Sequence, residues 1–146
     1  MQENLIKTLN EITNILKRKS FYKYINYGGC GHFAYLIAVE LKKINAMKNT
    51  KIKFKIKKVL DLDINHVFLE FTELSVYYDS EGIVSDFESF FSYGYEIRSM
   101  TFNSLQNKNI KDDWNKKFPR ESLRIVEHII KTEFQKNFNL QNVTIN

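Results

Sequence analysis

From Lys51 to Leu60 the chain opens on a strict alternation, with lysines separated by Ile52, Phe54 and Ile56. A helix cannot gather those apolar side chains on one stripe, because its period is near 3.6; a strand places every second residue on one face. The run therefore reads as a half-buried β-strand whose solvent side is lysine, a composition that also suits protection of a sheet edge. Such a strand needs neighbours, and the sequence supplies them. "INHVFLEF" from Ile64 is a nearly continuous β-favouring run, and "LSVYYD" follows after a polar step at Thr72 and Glu73. Connections this short exclude parallel crossovers, so an antiparallel meander is expected. "DSEG" at Asp79 to Gly82 is a turn signature, and "YGYEIRSM" is expected to add a fourth strand.

The flanking segments have the helical period. Residues 2 to 18 read as an amphipathic helix on Leu5, Leu9, Ile12 and Leu16, with Ile15 widening the stripe. A second helix is expected from Cys30, with Phe33, Ala34, Ile37, Ala38 and Leu41 on one face. "IVSDFESFF" suggests a short helix capped by Ser85, and "NSLQNKNIKDDWNKK" reads as loop. Pro119 suits an early position of a last helix that runs to about Phe134. The expected class is α+β: N-terminal helices, an antiparallel sheet of about four strands and a C-terminal helix, in one domain over residues 1–146. A 43% hydrophobic and 14% aromatic chain of 146 residues can build that core.

Composition narrows the function classes. One cysteine makes no intramolecular disulfide, so nothing requires an oxidising compartment. The first twenty residues mix acidic and polar groups among apolar ones, unlike a signal peptide, and no apolar run approaches the roughly 18 residues of a spanning helix. A soluble, cytoplasmic protein without membrane contact is expected. The net charge of +5, from 22 basic and 17 acidic residues, is scattered apart from the lysine strand. That strand could serve nucleic acid, but no arginine-rich patch or nucleic-acid-binding motif accompanies it, so nucleic acid is not the expected partner. Phosphate loops, dinucleotide fingerprints and paired Cys or His spacings are absent from the sequence, and neither a metal nor a cofactor is expected.

Three residues in a particular order carry chemistry. Cys30 opens a helix within "GGCG", His66 lies early in a strand, and Asp79 closes the next one. A thiol at a helix N-terminus meets unsatisfied backbone N–H groups and the positive end of the helix dipole, which favour an anion and can also donate to an oxyanion. A histidine on a nearby strand can take and return a proton, and a carboxylate can hold its tautomer. Each residue alone has a plainer explanation: a small buried hydrophobe, a half-buried strand residue and a turn former. It is their combination that points to a nucleophile, a base and an orienter. His32 lies two residues beyond Cys30 and so points elsewhere around the helix, and His128 sits within the last helix.

"GGCGHFAYLIAVEL", "NHVFLEF" and "YYDSEGI" resemble the papain-like superfamily in its transglutaminase-like and arylamine-acetyltransferase-like order, and small papain-fold proteins of phages and mobile elements. The resemblance covers residues 26 to 84. It implies Cys30 as nucleophile, His66 as general base and acid, Asp79 as orienting carboxylate, and acyl-transfer chemistry without a cofactor. Papain-like enzymes often place a glutamine before the cysteine, and none stands between Gln2 and Gln106. Asn26 and Tyr27, with the Gly29 to Gly31 backbone, are the candidates for oxyanion and substrate binding. The expected function is a cysteine-dependent hydrolase or acyl or amide transferase acting on a protein or another amide. The alternative is a non-catalytic phage or mobile-element protein, such as a host-defence inhibitor, that binds a host protein or ligand on the same fold.

Overall fold

A computed structural model describes residues 2–26, 28–57, 64–90, 94–111 and 118–138. Helix α1 spans Gln2–Leu16 and α2 spans Cys30–Lys43. The strands are β1 (Thr50–Lys57), β2 (Ile64–Phe71), β3 (Val76–Asp79), β4 (Gly82–Val84) and β5 (Tyr95–Met100), followed by α3 (Phe102–Lys111) and α4 (Arg120–Phe138). All pairings are antiparallel, in the order β4-β3-β2-β1-β5, giving an α+β fold.

Four strands were expected. The fifth is the three-residue β4, formed because the turn after Asp79 closes tightly enough for Asp79 to face Gly82. Gly82 holds a φ of +124°, a conformation that favours glycine. The expected helix at "IVSDFESFF" shrinks to one 3₁₀ turn at Phe87–Phe90, preceded by β4. A larger correction concerns "NSLQNKNIKDDWNKK", read as loop, whose first part is α3. Thr101 caps it, accepting from the Ser104 N–H at 3.1 Å, and Leu105 anchors it as a fully buried side chain. Residues 112–117 of that run lie outside the described residues.

Alternation sorts the sheet into two faces. Ile52, Val67, Leu69, Phe71 and Tyr78 join the core made with α1, α2 and α4. Their sequence neighbours point the other way: Lys51 opposes Glu70, Lys53 opposes Phe68 and Lys55 opposes His66. Strand β1 is interior, flanked by β2 and β5, so its lysines do not guard a sheet edge; that expectation fails because β5 returns past the intervening strands to pair along the open side of β1.

Polar ties fix the helices to the sheet. Tyr78, fully buried, donates its hydroxyl to the Leu9 carbonyl at 3.1 Å. Its single hydrogen is thereby used, so Thr13 donates to it at 2.9 Å. Pinning Tyr78 to α1 turns Asp79, the next residue, toward the opposite face. Asn137 on α4 donates to Thr8 at 2.8 Å and to Glu11 at 3.2 Å, joining the first and last helices.

Candidate active site

Helix α2 starts where its sequence permits. Gly29 is the N-cap residue, and the Phe33 N–H is bonded to the Gly29 carbonyl at 2.9 Å. The amides of Cys30 and Gly31 precede that bond, at the turn whose N–H groups have no intrahelical acceptor. Gly29 is required by space: a Cβ there would lie 2.8 Å from the Ile25 carbonyl oxygen and 3.2 Å from the Phe118 ring. Cys30 is buried, at 9% exposure.

His66 stands beside an irregularity. Lys55 pairs with His66 while Ile56 pairs with Ile64, so one extra β2 residue interrupts the register next to the imidazole. The His66 Nε2 and Asp79 Oδ2 are 3.0 Å apart, and both side chains are nearly buried. Cys30, at the start of α2, is the second group near enough to act on the His66 ring. Because β2 and β3 run antiparallel, the early position of His66 and the terminal position of Asp79 fall at one end of the sheet, where α2 begins.

The electrostatics follow from this geometry. Burial depresses the His66 imidazole, but hydrogen bonds to Asp79 and Cys30, with the charges of both, outweigh it and raise the pKa to about 9. At neutral pH the ring is therefore protonated, with Nε2 donating to Asp79. Asp79 is held from three sides: His66 at Oδ2, the Asn26 amide at 3.4 Å on the same oxygen, and the Glu81 N–H at 2.8 Å on Oδ1. Ser80 donates to the Asn26 Oδ1 at 2.9 Å. Asn26, expected at the oxyanion, is thus tied to the carboxylate and its neighbour.

Aromatic side chains hold the imidazole plane. His66 stacks against Phe68 and Phe90, with centroids at 6.0 and 6.1 Å and an interplanar angle of 17° in each case. Phe68 and Phe90 stack at 4.0 Å, and Tyr77 meets both edge-on. Phe68 was legible as a same-face neighbour of His66 two residues on; Phe90 was not, because it arrives from the 3₁₀ turn. Phe118 borders Gly29 and packs edge-on against Phe21 at 6.0 Å. Burial and the charges of Glu81 and Asp79 raise the Tyr22 phenol, which marks Tyr22 as a neighbour of the carboxylate.

Of the residues singled out in the sequence, Cys30, His66, Asp79, Asn26, Gly29 and Gly31 converge at this end of the molecule, whereas Tyr27 lies outside the described residues. His128 is exposed on α4. Gln106 donates to the Tyr35 hydroxyl at 3.4 Å on the α3 side of α2. Among the described residues, no group of three or more His, Cys, Asp or Glu is arranged to hold a metal ion, and no helix is long and apolar enough to cross a membrane. Compared with protein-family models, curated proteins and solved structures, the chain matches none.

Proposed function

We propose that this protein is a cytoplasmic, cysteine-dependent hydrolase or acyl or amide transferase of the papain-like and transglutaminase-like kind, of the small type found in phages and mobile elements. The observation that carries the reading is the 3.0 Å pairing of His66 with Asp79 at the end of the sheet where Cys30 begins α2, with Cys30 near enough to raise the imidazole. Buried titratable groups coupled in this way are the signature of a reacting site.

The chemistry runs in two halves. The Cys30 sulfur, as thiolate, attacks the carbonyl carbon of an amide, and the carbonyl π pair moves to oxygen. Backbone amides of the first α2 turn stand ready to donate to that oxygen. His66 gives the proton facing the sulfur to the leaving nitrogen, the C–N bond breaks, and a thioester remains on Cys30. A water or an amine then attacks the thioester, His66 takes its proton, and the thiolate departs. Asp79 keeps its bond to Nε2 throughout, so the ring presents the same nitrogen in both halves.

An activated ester gives a test that needs no knowledge of the natural substrate. With p-nitrophenyl acetate, the wild type should gain one acetyl group, mapped to Cys30 by mass spectrometry, and Cys30→Ser should lose that adduct while keeping its circular dichroism. In His66→Gln, acetylation should slow roughly a hundredfold, within the range of general acid-base contributions. Acetylation of Cys30 at the same rate with and without His66 would refute the reading.

A further inference from the structure

At the end of the sheet opposite His66 and Asp79, where Thr50 of β1 pairs with Phe71 of β2, the molecule carries a cleft of about 240 Å³. Its walls come from segments far apart in the chain: Leu5 from α1, Ile44 and Ala46 from the residues that leave α2, and Phe71 and Leu74 from the end of β2 and the turn after it. Leu5, Ile44, Ala46 and Phe71 are all buried, so the interior of the cleft is apolar. Its rim is not. Exposed Lys48 and Glu73 both border it, on segments tied together where the Asn49 carbonyl accepts from the Thr72 N–H and hydroxyl, each at 3.0 Å. The two charges stand one residue beyond that tie, on either side, yet no ion pair among the described residues joins them, and Lys48 has no carboxylate partner there. The Gln2 side-chain amide donates to the Glu73 Oε2 at 3.3 Å, which steadies that carboxylate and leaves Oε1 to accept from another donor.

We infer that this cleft binds a free α-amino acid with a large apolar side chain, such as leucine or phenylalanine. The side chain rests on Leu5, Ile44 and Phe71, the α-carboxylate meets the Lys48 ammonium, and the α-ammonium meets the Glu73 carboxylate. Size, polarity and charge agree on this occupant. A volume of about 240 Å³ is about eight times the share of one water molecule in the liquid, which suits a single amino acid and falls below the roughly 300 Å³ at which sites for larger ligands begin. The apolar walls reward a side chain that leaves water. Opposite charges on one rim match a zwitterion, whereas an apolar acid or an apolar amine would set its head group beside a like charge. None of these residues belongs to the Cys30 site, so the inference does not rest on the acyl-transfer reading.

Titration of ¹⁵N-labelled protein with leucine, glycine, N-acetylleucine and leucinamide tests each part of this assignment. Leucine should shift the amide signals of Ile44 to Thr50 and of Phe71 to Leu74, and it should bind roughly tenfold or more tightly than glycine, the worth of one buried apolar side chain. N-acetylleucine keeps only the carboxylate and leucinamide only the ammonium, so each should bind roughly threefold or more weakly than leucine, as suits exposed ion pairs. Lys48→Gln should weaken leucine but not leucinamide, and Glu73→Gln should weaken leucine but not N-acetylleucine. The ligand series on unmutated protein decides the matter even without the variants. Equal binding of leucine and its two blocked forms would overturn the zwitterion. Preference for N-acetylleucine or for leucinamide would overturn the free amino acid in favour of a polypeptide's last or first residue. Absence of shifts in the cleft up to the solubility limit of leucine would overturn the site itself.

Discussion

The two ends of the sheet are built on opposite terms. Where β2 begins and β3 ends, polar side chains are buried and partnered: Asp79 accepts from His66, Asn26 and the Glu81 amide. Where β1 begins and β2 ends, Leu5, Ile44, Ala46, Phe71 and Leu74 line a cleft of about 240 Å³, with Gln2 and Glu73 at its rim. Volume alone would put a binding site in the cleft. The proposed acyl-transfer reading puts the chemistry at the other end, because reactivity needs a coupled nucleophile and proton carrier, whereas an apolar hollow supplies only contact area. A buried polar cluster is also the harder feature to keep, since any member left unpaired carries its full desolvation cost.

The sharpest way to break this contrast is to damage the cleft end. Phe71→Ala should cost about 3–5 kcal/mol in chemical denaturation, the usual loss for a buried aromatic, yet leave Cys30 alkylation unchanged wherever the variant is folded. Coupled loss of both would show that the ends act as one unit. Next comes pH. The folded His66 value of about 9 lies above the ordinary 6.5, so its stabilising contribution is full below about pH 6.5 and lost as pH rises through about 9. The stability difference between wild type and His66→Gln should shrink across that window by about 3 kcal/mol, because each tenfold gain in proton affinity on folding is worth about 1.4 kcal/mol. A difference independent of pH would contradict the hydrogen-bonded, charged imidazole.

Smaller effects test how the reactive end is held. Gly29→Ala should cost about 1–3 kcal/mol, since the added methyl meets the Ile25 carbonyl at 2.8 Å and backbone must shift. It should also slow Cys30 alkylation, because the displaced residue is the one that begins α2; destabilisation without any change in alkylation would separate the helix start from the site. Asn26→Ala should cost about 1 kcal/mol for its bonds to Asp79 and Ser80 and slow Cys30 acetylation a few-fold through a looser carboxylate. Asn26→Asp puts a second carboxylate beside Asp79 and should raise the His66 titration observed by NMR. An unmoved His66 signal in both variants would remove Asn26 from the positioning of Asp79.

Much of the architecture was legible because it is written in local periods. The β1 lysine alternation, the β2–β3 hairpin, the α1 stripe and the α4 start after Pro119 each follow from residues a few positions apart. Helix α3 escaped because its described part offers little apolar patterning; the Thr101 cap and one buried leucine hold it, and packing against α2 supplies what propensity does not. Strand β4 escaped because three residues are too few to show a period.

The sequence by itself determined the order of helix, hairpin and helix, and it brought Cys30, His66 and Asp79 into notice, since loop-to-helix and strand-to-turn junctions are local events. Tertiary structure alone decided that the lysines lie mid-sheet on the His66 face, that Asn26 and Ser80 brace the carboxylate, and that Phe90 stacks on the imidazole. Those facts depend on pairings between segments far apart in the chain, such as β1 with β5. Such pairings are selected by the fit of whole surfaces against the entropy of closing the chain between them, and neither quantity is recorded in any short stretch of residues.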